Sequence, residues 1–154
     1  MPNVNKIKMY TDGACKGNPG IGGWGVYILG KNDETDLNGF DINTTNNKME
    51  LTAVIEGLKT LQNKAEVTIF TDSQYVKNGI SQWIYKWKKN GWKTASKKPV
   101  KNKDLWKQLD YLIKDHTINW EWVRGHSGNP GNEKADLLAN KGILEYLEKR
   151  SNFK

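Results

Sequence analysis

The chain is poor in the residues that build covalent frameworks or soft-metal sites. It has one cysteine, Cys15, and two histidines, His116 and His126. An internal disulfide framework and a cysteine zinc site are therefore excluded, and a reducing cytosol suits the chain. No apolar run approaches membrane-spanning length, and the start Met1-Pro2-Asn3-Val4-Asn5-Lys6 has no apolar targeting stretch. The expectation is a cytoplasmic protein that makes no membrane contact. One further absence is local: between Asp72 and Asp104 there is no acidic residue.

What is present is enough for one domain. The 154 residues hold seven Trp and 36% hydrophobic residues, which excludes wholesale disorder. The expected core spans about residues 6–150, with a frayed tail from Ser151 to Lys154. Lys and Arg number 24 against 17 acidic residues, a net charge of +7. With a pI near 9.4, this balance favours a polyanionic partner such as nucleic acid.

Ile7, Met9 and Thr11 alternate with Lys8, Tyr10 and Asp12, the period of a strand running into Asp12. The glycines and proline from Lys16 to Gly23 then predict a loop. Trp24 to Leu29 and Asp36 to Ile42 read as two more strands, completing an antiparallel meander. From Asn46 the apolar residues fall three or four apart, at Leu51, Val54, Ile55, Leu58 and Leu61, which predicts an amphipathic helix capped by Thr45 or Asn46. Glu66 to Thr71 reads as a strand parallel to the first, reached by a right-handed crossover through that helix. Helical patterns follow through Tyr75, Val76 and Ile80 and through Trp83, Ile84 and Trp87. After them come a basic loop from Lys88 to Lys103, a helix over Leu105 to Ile113, a strand from Ile118 to Val123 and a final helix from Asn132 to Lys149.

The two parallel strands end alike, as Tyr10-Thr11-Asp12-Gly13 and Phe70-Thr71-Asp72-Ser73. Each alone is ordinary turn chemistry. Together they bring two carboxylates to one edge of a sheet, where ligands bind. A helical wheel turns Glu50 inward with Val54, Gly57 and Leu61 and turns Glu56 outward. In the final helix Asp136 aligns with Ala139, Ile143 and Leu147, and Glu133 lies near the same face as a rival. Four carboxylates without cysteine or clustered histidine form a hard-oxygen set suited to magnesium or manganese. Two such ions about 4 Å apart can activate water and stabilise the leaving oxygen of an in-line phosphoryl displacement.

Into the acid-free segment are packed Lys86, Lys88, Lys89, Lys93, Lys97, Lys98, Lys101 and Lys103, interleaved with Trp83, Trp87, Trp92 and Trp106. The tryptophans are expected to build a protruding helix and loop, and the lysines to grip a phosphate backbone. His126 stands in a glycine-rich loop just before the helix carrying Asp136, where a histidine can pass protons. His116 has no such neighbours and reads as structural. Asn18, Asn46, Asn47 and Gln74 all adjoin candidate metal ligands, and amides suit base edges and a 2′-hydroxyl in a minor groove.

Five motifs in order resemble bacterial ribonuclease H of type 1: Tyr10-Thr11-Asp12-Gly13, Thr44 to Leu51, Phe70 to Val76, Trp87 to Trp92, and Trp122 to His126 with Asn132 to Asp136. The resemblance runs from about Lys8 to the last helix. It implies an α/β ribonuclease H-like fold, a five-stranded mixed sheet flanked by helices, with strands 1-2-3 antiparallel and strands 4 and 5 parallel to strand 1. It also implies endonucleolytic hydrolysis of the RNA strand of RNA–DNA hybrids, leaving 5′-phosphate and 3′-hydroxyl ends.

By the same resemblance Asp12, Glu50, Asp72 and Asp136 hold two Mg2+ ions, with Mn2+ able to substitute, and Asp136 rather than Glu133 fits the pattern. His126 matches a mobile histidine that assists proton transfer or product release. Cys15, Asn18, Asn46, Asn47 and Gln74 match positions lining the hybrid's minor groove. Trp83, Lys86, Trp87, Lys88, Lys89 and Lys98 lie in a basic protrusion that holds the DNA strand. The implied protein is a monomer with no obligate protein partner, active without a separate hybrid-binding module before Lys6. The chain's short tail departs from the family pattern.

Overall fold

The computed structural model describes residues 5–94, 96–123 and 128–152. In chain order the elements are strands β1 (Asn5–Gly17), β2 (Gly20–Leu29) and β3 (Glu34–Thr44), helix α1 (Asn46–Lys59) and strand β4 (Ala65–Thr71). Helix α2 (Gln74–Asn78), a π-helical turn (Gly79–Trp83), α3 (Ile84–Lys89), α4 (Lys103–Ile113), β5 (Thr117–Trp122) and α5 (Pro130–Asn152) follow. The strands form one five-stranded sheet in the order β3-β2-β1-β4-β5. The pairs β1–β2 and β2–β3 are antiparallel, and β1–β4 and β4–β5 parallel. This is the mixed sheet and strand arrangement expected.

Strand parity explains how helices cover both faces. Met9 and Val26, fully buried, lie against Gly57 of α1. Gly23 and Gly25, of opposite parity to Val26 on β2, face Ala135 and Ala139 of α5. On the α1 side Leu51, Val54, Ile55 and Leu58 meet Val67, Ile69, Val76, Trp106 and Leu109 in one buried cluster. Each large apolar side chain removed from water there contributes about 1.5–3 kcal/mol. His116, as expected, is structural: its Nδ1 accepts the Ala65 N–H at 3.1 Å.

Several element boundaries differ from the sequence expectation. Asp12 does not end its strand, because β1 continues to Gly17 and pairs Asp12 with Gly25. Of the glycines expected to form a loop, Gly17 ends β1, and Gly20, Gly22 and Gly23 belong to β2. A Cβ at Gly22 would stand 2.5 Å from Thr44 and 2.8 Å from Met49 side-chain atoms, so small residues are required there by packing. The helical segment after Asp72 contains a π turn at Gly79, whose Cα lies so close to the Trp106 ring that a Cβ would collide with it. α5 starts earlier, with Pro130 as its first residue and the Asn129 Oδ1 accepting the Asn132 N–H at 3.0 Å. It also runs through Ser151 and Asn152, two residues of the expected frayed tail.

Candidate functional site

The central pair β1 and β4 sets the site. Tyr10 pairs with Phe70 in parallel register, so Asp12 and Asp72, two residues on, project from the same edge and face. The turn after Asp72 is fixed locally. Thr71 Oγ1 accepts the Ser73 N–H at 3.1 Å, and Ser73 Oγ accepts the Val76 N–H at 3.1 Å as the cap of α2. Glu50 arrives from the first turns of α1, which Thr45 caps through its Oγ1 and the Lys48 N–H at 3.2 Å. Gly13 makes that approach possible: a Cβ there would stand 2.5 Å from the Glu50 backbone nitrogen and 2.6 Å from the Met49 carbonyl carbon.

Asp12, Glu50 and Asp72 each offer a carboxylate oxygen, and these oxygens all lie within 4.8 Å of one another. Asp12 is 6% exposed and Glu50 4%. Burial first, then repulsion from Asp72 and a hydrogen bond with Asp136, pushes Asp12 up to about 8 from 3.8. Burial first, then the charges of Asp12 and Asp72, holds Glu50 well above the usual carboxylate range. Glu50 Oε2 is buried with no hydrogen-bond partner. A buried acceptor of this kind costs about 1–3 kcal/mol when left unmatched, and hard-oxygen ligands that repel one another fit a divalent cation.

Asp136 approaches from α5 and is half-buried. It joins the site through its hydrogen bond with Asp12 and stands outside the trio defined by 4.8 Å. The Asn140 amide donates to the Asp136 backbone oxygen at 3.0 Å and to its Oδ1 at 3.5 Å. Sequence reasoning missed Asn140, although an amide four residues after a helical acid lies one turn away on the same side. Glu133, the rival, is exposed. His126 lies outside the described residues, as does the rest of segment 124–127.

Asn46, Asn47 and Gln74 occupy the first positions of α1 and α2 and are exposed, as is Asn18 in the β1–β2 turn. Cys15 is half-buried and directs its Sγ at the Thr44 carbonyl oxygen at 3.4 Å; burial pushes its thiol up.

In the protrusion the tryptophans are scaffold. Trp83 and Trp87 are half-buried with ring centroids 5.9 Å apart, and Trp87 also meets Trp92 at 6.3 Å and Trp106 at 5.4 Å. Trp106, fully buried, donates its Nε1–H to the Tyr75 hydroxyl at 2.9 Å, and the Asn102 amide donates to the same oxygen at 3.1 Å. Lys86, Lys88, Lys89 and Lys98 are exposed around this cluster. Lys88 is the one of these with a carboxylate partner among the described residues, Asp110 at 3.2 Å.

Comparison with known proteins follows the same lines. The family model described as RNase H matches residues 4–144. Ribonuclease HI of Neisseria meningitidis serogroup B is 60% identical over 140 residues, 91% of this chain and 97% of that one. Ribonuclease H of Pseudomonas putida is 57% identical over 146 residues, 95% of this chain and 99% of that one. Among solved structures, LC9-RNase H1, a type 1 RNase H with the type 2 active-site motif, superposes with a TM-score of 0.84 at 30% identity, covering 94% of this chain and 75% of that one.

Proposed function

The chain belongs to the RNase H family, and from that membership we propose that it is a metal-dependent endonuclease cutting the RNA strand of RNA–DNA hybrids. Water attacks phosphorus, the bond from phosphorus to the 3′ oxygen breaks, and 5′-phosphate and 3′-hydroxyl ends remain. The observation that carries the reading is the convergence of Asp12, Glu50 and Asp72 oxygens within 4.8 Å. These acids, with Asp136 beside Asp12, hold two Mg2+ ions, and Mn2+ substitutes. Bound magnesium supplies the positive charge that lets the acids ionise together and the Lewis acidity that phosphoryl displacement requires.

The chain's own groups do the rest. Cys15, Asn18, Asn46, Asn47 and Gln74 receive the minor groove, where hydrogen bonds to 2′-hydroxyls distinguish RNA from DNA. Lys86, Lys89 and Lys98, carried by Trp83 and Trp87, hold the DNA strand electrostatically, and Lys88 does so after exchanging Asp110 for a phosphate. His126 moves a proton or loosens product. Among the described residues no helix is long and apolar enough to cross a membrane, and the protein works as a single-domain monomer in the cytoplasm, where Cys15 stays reduced.

The test is a labelled hybrid with magnesium. Wild type cuts the RNA strand and spares DNA and RNA duplexes. Asp12→Asn and Asp72→Asn lose about a thousandfold or more of the rate, the scale of losing several kcal/mol of metal-derived stabilisation, while still binding hybrid. Absence of cutting by wild type with either metal would overturn the reading.

A further inference from the structure

We propose that Lys77, positioned by Trp122, is a further substrate-binding residue that grips a phosphate of the RNA strand on the β5 side of the carboxylates. The proposal rests on the nuclease reading above. Its basis is the placement of one cation. Lys77 is exposed on α2, one turn beyond Gln74, and only the cap residue Ser73 separates α2 from Asp72. Trp122 is the last residue of β5 and pairs in register with Thr71, the neighbour of Asp72. The Lys77 ammonium stands 4.4 Å from the centre of the Trp122 ring.

That contact is tighter than the other lysine–ring contacts among the described residues. Lys107 lies 5.8 Å from Trp92, and Lys134 and Lys149 lie 5.9 Å from Tyr27 and Phe40. A ring quadrupole fixes where an ammonium sits without neutralising it or occupying its N–H donors. Lys77 has no ion-pair partner among the described residues, whereas Lys88 has Asp110 and Lys134 has Asp36. The 31 residues separating Asp72 from Asp104 contain no acid that could compete for it. A polyanion brought to an edge of four carboxylates meets repulsion on every side that lacks a cation. Lys77 supplies one after Asp72, on the β5 side of the sheet. Simple coverage of the Trp122 ring by the lysine stem is the structural alternative, and it makes no demand on salt or substrate.

Wild-type cleavage is measured first, since its failure ends the nuclease reading independently of Lys77. Hybrid binding is then titrated across salt concentrations in an Asp12→Asn background without metal. Lys77→Ala should weaken binding about three- to tenfold and reduce the slope of log affinity against log salt by about 1, and Lys77→Arg should restore both. Trp122→Leu should weaken binding less and leave the slope intact, because the charge remains. Hybrids with single methylphosphonates walked along each strand locate the contact: neutralising the RNA phosphate that Lys77 grips should cost the parent affinity and cost Lys77→Ala nothing further. Unchanged affinity and slope in Lys77→Ala, coupling to no position, or coupling to the DNA strand alone would overturn the assignment and leave the nuclease reading standing.

Discussion

At the carboxylate edge Asp12 and Glu50 are buried among like charges, whereas in the protrusion Lys86, Lys89 and Lys98 stand in solvent around an aromatic cluster. On the proposed reading both regions receive a charged ligand, yet they relate to stability in opposite ways. The protrusion separates packing from charge: Trp87, Trp92 and Trp106 pack, and Lys86, Lys89 and Lys98 stay exposed. The edge cannot, because the groups that would take the metal are the groups that destabilise the metal-free fold. Truncating the scaffold of one region and neutralising a charge in the other should therefore move stability in opposite directions.

The largest change is expected in the scaffold. Trp106 is fully buried, fills the space left by Gly79 and hydrogen-bonds Tyr75. Trp106→Ala should cost about 3–5 kcal/mol in denaturant unfolding, with no dependence on magnesium. A loss that vanished when magnesium was removed would mean that the two regions are not separable.

At the edge the sign reverses. Asp12 titrates near 8 in the folded protein against an ordinary 3.8, so the folded state holds a proton that the unfolded state releases. Metal-free stability should accordingly fall as pH rises from about 4 to about 8, with Glu50 contributing in the same direction. Even half of the Asp12 shift is worth about 3 kcal/mol. Asp12→Asn in a chelator at pH 8 should thus raise Tm by about 6–12 °C, and the gain should shrink towards pH 4. Magnesium should stabilise wild type by about 2.7 kcal/mol at a hundredfold excess over its dissociation constant and do much less for the variant. A metal-free Tm that is flat across this pH range would remove the contrast between the regions.

The same contrast explains what could be read in advance. Periodicity located the sheet, the crossover and the inward turn of Glu50, because burial on a pleat or helix follows directly from spacing. It misjudged the glycines of β2, since a glycine required by Thr44 and Met49 packing is indistinguishable in sequence from one required by a turn. The π turn at Gly79 was also invisible, being set by the distant Trp106 ring. In the site, residue type and order pointed to the acids; Asn140, one helical turn after Asp136, was a local spacing left unread, whereas Lys77 over Trp122 is a tertiary contact that no local pattern announces.

The smallest effect lies in the protrusion's own loop and separates backbone strain from side-chain purpose. Trp92, Lys97 and Asn102 all have left-handed backbone, with φ of 62, 65 and 60°. Trp92 is held there by its cluster and by its N–H to the Trp87 oxygen at 2.7 Å, and Asn102 by its bond to Tyr75. The Lys97 side chain is exposed, and its backbone N–H to the Thr94 oxygen at 2.9 Å would survive in any residue. Left-handed geometry costs a lysine about 1–2 kcal/mol, and glycine avoids that cost at the expense of a more flexible unfolded chain. Lys97→Gly should therefore stabilise by about 1 kcal/mol, or about 2–4 °C in Tm, independently of pH and of magnesium. Destabilisation by this substitution would mean that the Lys97 side chain contributes to the scaffold, and the division of labour between packed tryptophans and free lysines would fail at that position.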